Sequence, residues 1–194
     1  MGTVARPTAR RSAPDPADPE IVARRAAALT EVRMWGDPVL RTVARPVERF
    51  DADLRAQADR MAKLMDDALG AGLAANQVGM LSRLLVYRTG PDAPLRVLVN
   101  PEVEWTADEE EQFSEGCLSL PGVWVEVARP ARVRLRAHDE SGRPLTVSAE
   151  GREASIVQHE IDHLDGVLVL DRLHADARRQ AVRRLREEIA AGGR

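Results

Sequence analysis

The 194-residue chain is long enough for one domain with a substantial apolar core, since 44% of it is hydrophobic. A net charge of −3 is too small to imply a nucleic-acid or membrane partner by itself, and no run of about 18 apolar residues exists to span a bilayer. The single cysteine, Cys117, excludes an intramolecular disulfide and points to a reducing, cytoplasmic compartment.

Residues 1–19 are rich in proline and arginine and lack an apolar core segment. They are expected to form a flexible tail rather than a secretory leader, leaving residues 20–194 as the folded domain. From Pro19, PEIVARRAAAL is predicted as a short helix capped by Asp18 with proline at its first position. WGDPVL reads as a turn, because Pro38 restricts Asp37 before it. DADLRAQADRMAKLMDDALG places Leu54, Met61, Met65, Ala68 and Leu69 at helical spacing, with Gly70 expected to end the helix in a left-handed conformation.

From Leu81 to Ala149 the pattern changes to short β-branched or alternating runs: LLVYR, RVLVN, VEWT, VWVEV, VRLRAH and LTVSA. VRLRAH and LTVSA, joined by DESGRP, predict an antiparallel hairpin. Helical spacing returns at Glu153–Leu164 through Ile156, Val157, Ile161 and Leu164. A last helix, DARRQAVRRLREEIA, carries Ala177, Ala181, Leu185 and Ile189 four apart. The fold class is α+β: a single domain of mostly antiparallel strands around a central helix bearing His-Glu-x-x-His, with one helix in the N-terminal half and another at the C-terminus.

That motif lies in QHEIDHLDG, Gln158–Gly166. Residues four apart share a helix face, so His159 and His163 can offer two nitrogens to one metal ion. Glu160 is rotated by about 100° from His159, which suits it to exchange a proton with a metal-bound water rather than to be a ligand. A third protein ligand is required. The longer protease pattern HExxHxxGxxH fails, because Val169 stands at its last histidine. Glu187 remains open as the later glutamate of a second protease type. His138 and His174 read as ordinary, partly exposed histidines. Cys117, between Gly116 and Pro121 in EGCLSLPG, is the remaining candidate, and thiolate suits a borderline-soft divalent ion.

Three segments occur in order: GAGLAANQVG (70–79), EGCLSLPG (115–122) and QHEIDHLDG (158–166). Together they resemble the peptide deformylase family, whose pattern is GxGLAAxQ, EGCLS and QHExDHLxG, and every fixed position is met. GDPVLRTVARPVERFD is similar to the family's N-terminal region. The resemblance implies Cys117, His159 and His163 as metal ligands. It also implies hydrolysis of the N-terminal formyl group from formyl-methionyl nascent peptides, with release of formate. Ferrous iron is the family's usual ion, and zinc, nickel or cobalt can occupy the same ligands.

By the same resemblance, Gln77 and the backbone N–H of Leu118 stabilise the oxyanion, and the segments of Gly72 and Gly116 pair with the substrate main chain. The absent Cβ of Gly70 and Gly72 allows close approach of an extended chain. Ile156 and Val157 are expected either at the methionine pocket or in plain core. Glu115 is expected to pair with an arginine such as Arg129, and Asp162 and Asp165 to lie on a solvated face. The resemblance implies ribosome contact through the Arg-rich last helix. Its interleaved Asp176, Glu187 and Glu188 make a solvated face the simpler reading. No membrane contact and no sequence-specific nucleic-acid binding are expected. An endopeptidase using Glu187 and an inactive, binding-only relative are the competing readings.

Overall fold

The structure, a computed structural model, describes residues 18–192. The expected tail lies outside them except for Asp18 and Pro19. Helix α1 spans Pro19–Leu29, its cap Asp18 accepting a hydrogen bond from Glu20 N at 2.9 Å. The turn expected at WGDPVL is a single 3-10 turn over Pro38–Arg41, capped by Asp37. Helix α2 spans Ala52–Asp67 and is capped by Asp51, which accepts from Leu54 N.

The left-handed residue after α2 is Leu69, with φ 59°, and not Gly70. Gly70 is small for another reason: a Cβ there would come 3.0 Å from Leu118 Cδ1. A leucine in this conformation costs about 1 kcal/mol, an expense the flanking contacts of the loop must offset.

Seven strands follow: β1 Gly72–Ala74, β2 Leu84–Tyr87, β3 Arg96–Thr106, β4 Glu110–Cys117, β5 Leu120–Pro130, β6 Arg132–His138 and β7 Pro144–Glu150. Five form an antiparallel sheet in the order β1-β2-β3-β6-β7, and β4 and β5 form a separate antiparallel ribbon. The hairpin expected at 132–150 is β6–β7, with Arg132 opposite Glu150 and His138 opposite Pro144. RVLVN and VEWT join into one strand, β3. Asn100, at φ 52°, lets it pass through an irregular register, and its side-chain amide bonds both N and O of Val47. Strand β4 was not legible as a strand, because EEQFSEG is polar on both faces and pairs only within the ribbon.

Helix α3 spans Gly151–Leu164 and α4 spans Ala175–Ala190. Strand β2 shows how the sheet is sandwiched. Its side chains alternate, so Leu84 and Val86 join the core with Met61 and Met65 of α2, while Leu85 and Tyr87 join Val157 and Leu164 of α3. Both faces are covered, and all four residues are buried. Tyr87 also anchors α3, its hydroxyl donating to Glu153 at 2.8 Å. On the ribbon, Leu120, Val123 and Val127 of β5 pack with Ala181 and Leu185 of α4. Only the middle of the expected α4 stripe is buried: Ala177 is exposed and Ile189 is 43% exposed. Burying Leu185 contributes about 2 kcal/mol to holding the helix on the ribbon.

Candidate metal centre

The ribbon and α3 meet at Cys117. The i, i+4 spacing on α3 sets His159 beside His163, with ring centroids 5.0 Å apart. Cys117 closes β4, and its Sγ lies 3.2 Å from His163 Nε2. One donor atom each from Cys117, His159 and His163 falls within a sphere of mutual distances below 4.8 Å. Ligand atoms on one tetrahedral ion with sulfur at about 2.3 Å and nitrogen at about 2.0 Å are separated by about 3.3–3.6 Å, so the grouping fits a small divalent ion. Burial holds His163 well below the usual imidazole range, whereas at His159 burial is outweighed by hydrogen bonds to Cys117 and Glu115, which raise it well above that range.

His159 Nδ1 faces Glu115 Oε2 at 2.9 Å, which turns its other nitrogen toward the sulfur. Glu115 is buried, and Arg129 grips it through Nε and, at 2.9 Å, through Nη2; Ser155 Oγ adds a bond at 2.9 Å. Burial alone would raise the Glu115 pKa, but hydrogen bonds from His159 and Arg129 outweigh it and hold the carboxyl at about 2. The expected Glu115–Arg129 pair is thus present. Asp162 is a correction: it is buried rather than solvated, bonded to Arg129 at 2.9 Å and to Arg172. Asp165 is the exposed one, paired with Arg83 at 2.6 Å.

Glu160 is buried beside the histidines, and its Oε2 has no hydrogen-bond partner among the described residues. Burial raises its pKa to about 7, with His159 opposing. Gly72 of β1 lies directly against it: a methyl there would sit 2.7 Å from Glu160 Cγ. Gln77, in the 3-10 turn after β1, accepts a bond from Ala74 N at 2.9 Å through Oε1. That contact assigns the amide and aims Nε2 at Cys117 Sγ, 3.6 Å away, and at Ser119 Oγ, 3.3 Å away. Leu118 and Ser119 make the turn between β4 and β5. At Gly116 a Cβ would meet the Trp124 indole at 3.0 Å, so a packing requirement stands beside any role in substrate approach.

Gly72, Gln77, Glu115, Gly116, Cys117, Leu118, His159 and Glu160 line one cavity of about 520 Å³, together with Leu29, Leu69, Phe113 and Trp124. Ile156 faces it, whereas Val157 belongs to the α3 core. The alternatives for a third ligand separate cleanly. Glu187 is exposed on α4 near Arg183, His174 is exposed at the start of α4, and His138 lies against Phe50 with the rings tilted by 54°. Sequence reasoning missed Ser119, Ser155 and the burial of Asp162. Ser119 stands in EGCLSLPG and Ser155 on the helical stretch before QHEIDHLDG, but nothing local marks which way they face.

A family model described as "Polypeptide deformylase" matches residues 29–179. The chain belongs to the peptide deformylase family. Peptide deformylase relatives include that of Alkalilimnicola ehrlichii, 45% identical over 172 residues, covering 86% of this chain and 94% of the relative. That of Phenylobacterium zucineum is 41% identical over 167 residues, covering 84% and 99%. Among crystal structures, a peptide deformylase from Legionella pneumophila superposes with a TM-score of 0.79 at 39% identity, over 83% of this chain and 95% of that one. One from Synechococcus elongatus, in complex with actinonin, gives 0.76 at 43% identity, over 79% and 85%. Peptide deformylases are hydrolases that remove the N-terminal formyl group from nascent polypeptides, and the α+β fold with antiparallel sheets is theirs.

Proposed function

We propose that this deformylase holds one divalent ion through Cys117, His159 and His163, and that Glu160, Gln77 and the Leu118 N–H act on the formyl amide beside it. The observation that carries the reading is the convergence of sulfur and two imidazoles from β4 and α3 next to a buried carboxylate at the floor of the cavity. When bound, the ion supplies a water acidic enough to ionise near neutral pH and a positive charge for the carbonyl oxygen. Ferrous iron is the ion we assign, and the two-nitrogen, one-sulfur donor set also suits zinc, nickel and cobalt.

Glu160 accepts the proton of the attacking water and delivers it to the departing amine nitrogen. A buried carboxyl within reach of the reacting water can do both, its proton affinity raised by burial and lowered by a neighbouring cation. Gln77 Nε2 donates to the oxygen as charge builds on it, held in that orientation by Ala74 N. The Leu118 N–H, at the turn beside Cys117, is the second donor. Formate and a free methionine amine leave. Gly72 and Gly116 are assigned to the walls along which the substrate main chain runs, and apolar Ile156 to the methionine side.

Contact with the ribosome through α4 belongs to the same proposal, as does a cytoplasmic location, where chains that begin with formyl-methionine would be met. Support for docking is limited to exposed arginines such as Arg184 and Arg186, since Arg179 and Arg183 face Asp176 and Glu187 on the helix itself. Salt-sensitive co-sedimentation with ribosomes that is lost on removing α4 supports it; unchanged sedimentation refutes it. The chemistry is tested by Glu160→Gln. Metal content should stay at one ion per chain while hydrolysis of formyl-Met peptides falls by roughly 10³-fold or more. Retained turnover would remove Glu160 from the mechanism.

A further inference from the structure

Two charges at the cavity have no part in the chemistry above. Arg25 of α1 and Arg152 of α3 both line it, and both are exposed. Neither makes an ion pair among the described residues, although Arg24 beside Arg25 is held by Asp67. The carboxylates lining the same cavity do not answer them. Glu115 is committed to Arg129 and His159, and Glu160 is buried at the floor. Glu188 packs on Gly122 from α4 but does not line the cavity. The mouth therefore carries two unpaired arginines among the described residues, above a floor where Glu115 is paired and Glu160 is buried.

Helix α3 sets the scale. Arg152, Ile156, His159 and Glu160 all line the cavity, as residues three or four apart on one face do. Arg152 precedes Glu160 by eight positions (160 − 152), or about 12 Å of helix axis. An extended peptide covers that span in about three to four residues. The guanidinium can swing back along the path or outward from it, so its reach covers the residues that immediately follow the methionine.

We propose that Arg25 and Arg152 are specificity-determining residues that favour acidic side chains in the second to fourth positions of the substrate. A planar guanidinium matches a carboxylate in a two-point contact and repels lysine or arginine at the same place. The proposal rests on the deformylase reading and adds a substrate class to it.

The test compares kcat/KM for metal-loaded enzyme on formyl-Met-Ala-Ala-Ala amide and on versions with Asp or Lys placed singly at positions two, three and four. Amide termini remove the carboxylate that would otherwise compete. At low ionic strength the best Asp peptide should exceed its Lys counterpart by roughly fivefold, and the ratio should shrink toward one in about 0.5 M salt. Arg25→Gln and Arg152→Gln should each lower the ratio, and the double variant Arg25→Glu, Arg152→Glu should invert it. Each ratio is taken within one preparation, so partial misfolding cancels, and an inversion is a result that loss of folded protein cannot produce. Equal rates for Asp and Lys peptides in the wild type, or a ratio unmoved by the charge reversals, would overturn the proposal. Absence of turnover on the all-alanine peptide would instead overturn the deformylase reading, and this proposal with it.

Discussion

His159 Nδ1 and Glu115 Oε2 stand 2.9 Å apart, and through that contact the Cys117, His159 and His163 group is tied to a chain of charges running through the buried Arg129 and Asp162 to Arg172 at the surface. The carboxylate accepts from both the imidazole and the guanidinium. One residue therefore orients the His159 imidazole and neutralises an arginine that is only 3% exposed.

Replacing Glu115 with glutamine should damage both functions. Leaving Arg129 with one fewer buried partner is expected to cost about 3 kcal/mol, and losing the acceptor behind His159 should weaken metal binding by roughly 10–100-fold. The folded-state pKa of about 2 lies below the reference 4.5, so the carboxylate's contribution is complete above about pH 4.5 and is lost as pH falls toward 2. Denaturant titrations between pH 2 and 7 should thus show a shallower acid slope in the variant. An unchanged slope together with an intact metal site would refute the assignment.

Glu160 has the opposite sign. Its pKa is raised from 4.5 to about 7 by burial, so the folded, metal-free protein loses stability as pH climbs through that interval. The shift corresponds to about 3 kcal/mol at most. Metal-free Glu160→Gln should therefore melt above metal-free wild type at pH 8 and close to it at pH 4. Calorimetry on both proteins at the two pH values decides the point.

Cys117→Ala removes the one proposed ligand that comes from outside α3. The prediction is loss of stoichiometric metal and of formyl-peptide hydrolysis, with the fold retained because Cys117 is only partly buried at the edge of the ribbon. Elemental analysis and circular dichroism of the purified variant would show it. Full metal occupancy would sink the three-ligand site.

Gln77→Glu keeps the shape but turns the donor Nε2 into an acceptor. We expect kcat to fall by about 10²-fold or more with little change in metal content. If only KM moved, Gln77 would be a binding group and not a stabiliser of the reacting oxygen.

Gly72→Ala places a methyl on the Glu160 side chain. It should cost about 1–3 kcal/mol through overpacking and reduce turnover by displacing the carboxylate. Near wild-type activity and melting temperature would mean that β1 yields there more easily than its buried neighbours imply.

Much of this protein was legible in its sequence because the signals are local. The four-residue spacing of His159 and His163, the caps at Asp18 and Asp51, the alternation in β2 and the β6–β7 hairpin each depend on neighbours a few positions away. The three motifs also contain Cys117, His159 and His163, whose donor atoms the fold brings together. What only the tertiary structure decided depends on long-range approach. Packing of the β4–β5 ribbon against α3 carries Cys117 to His163, and Arg129 and Arg172 turn Asp162 from an apparent surface charge into a buried one. The left-handed residue fell on Leu69 because the chain reverses one position earlier than glycine placement suggests. Periodicity records which face of an element is apolar; it carries no record of what another element brings to that face, and here that meeting of distant segments assembles the site.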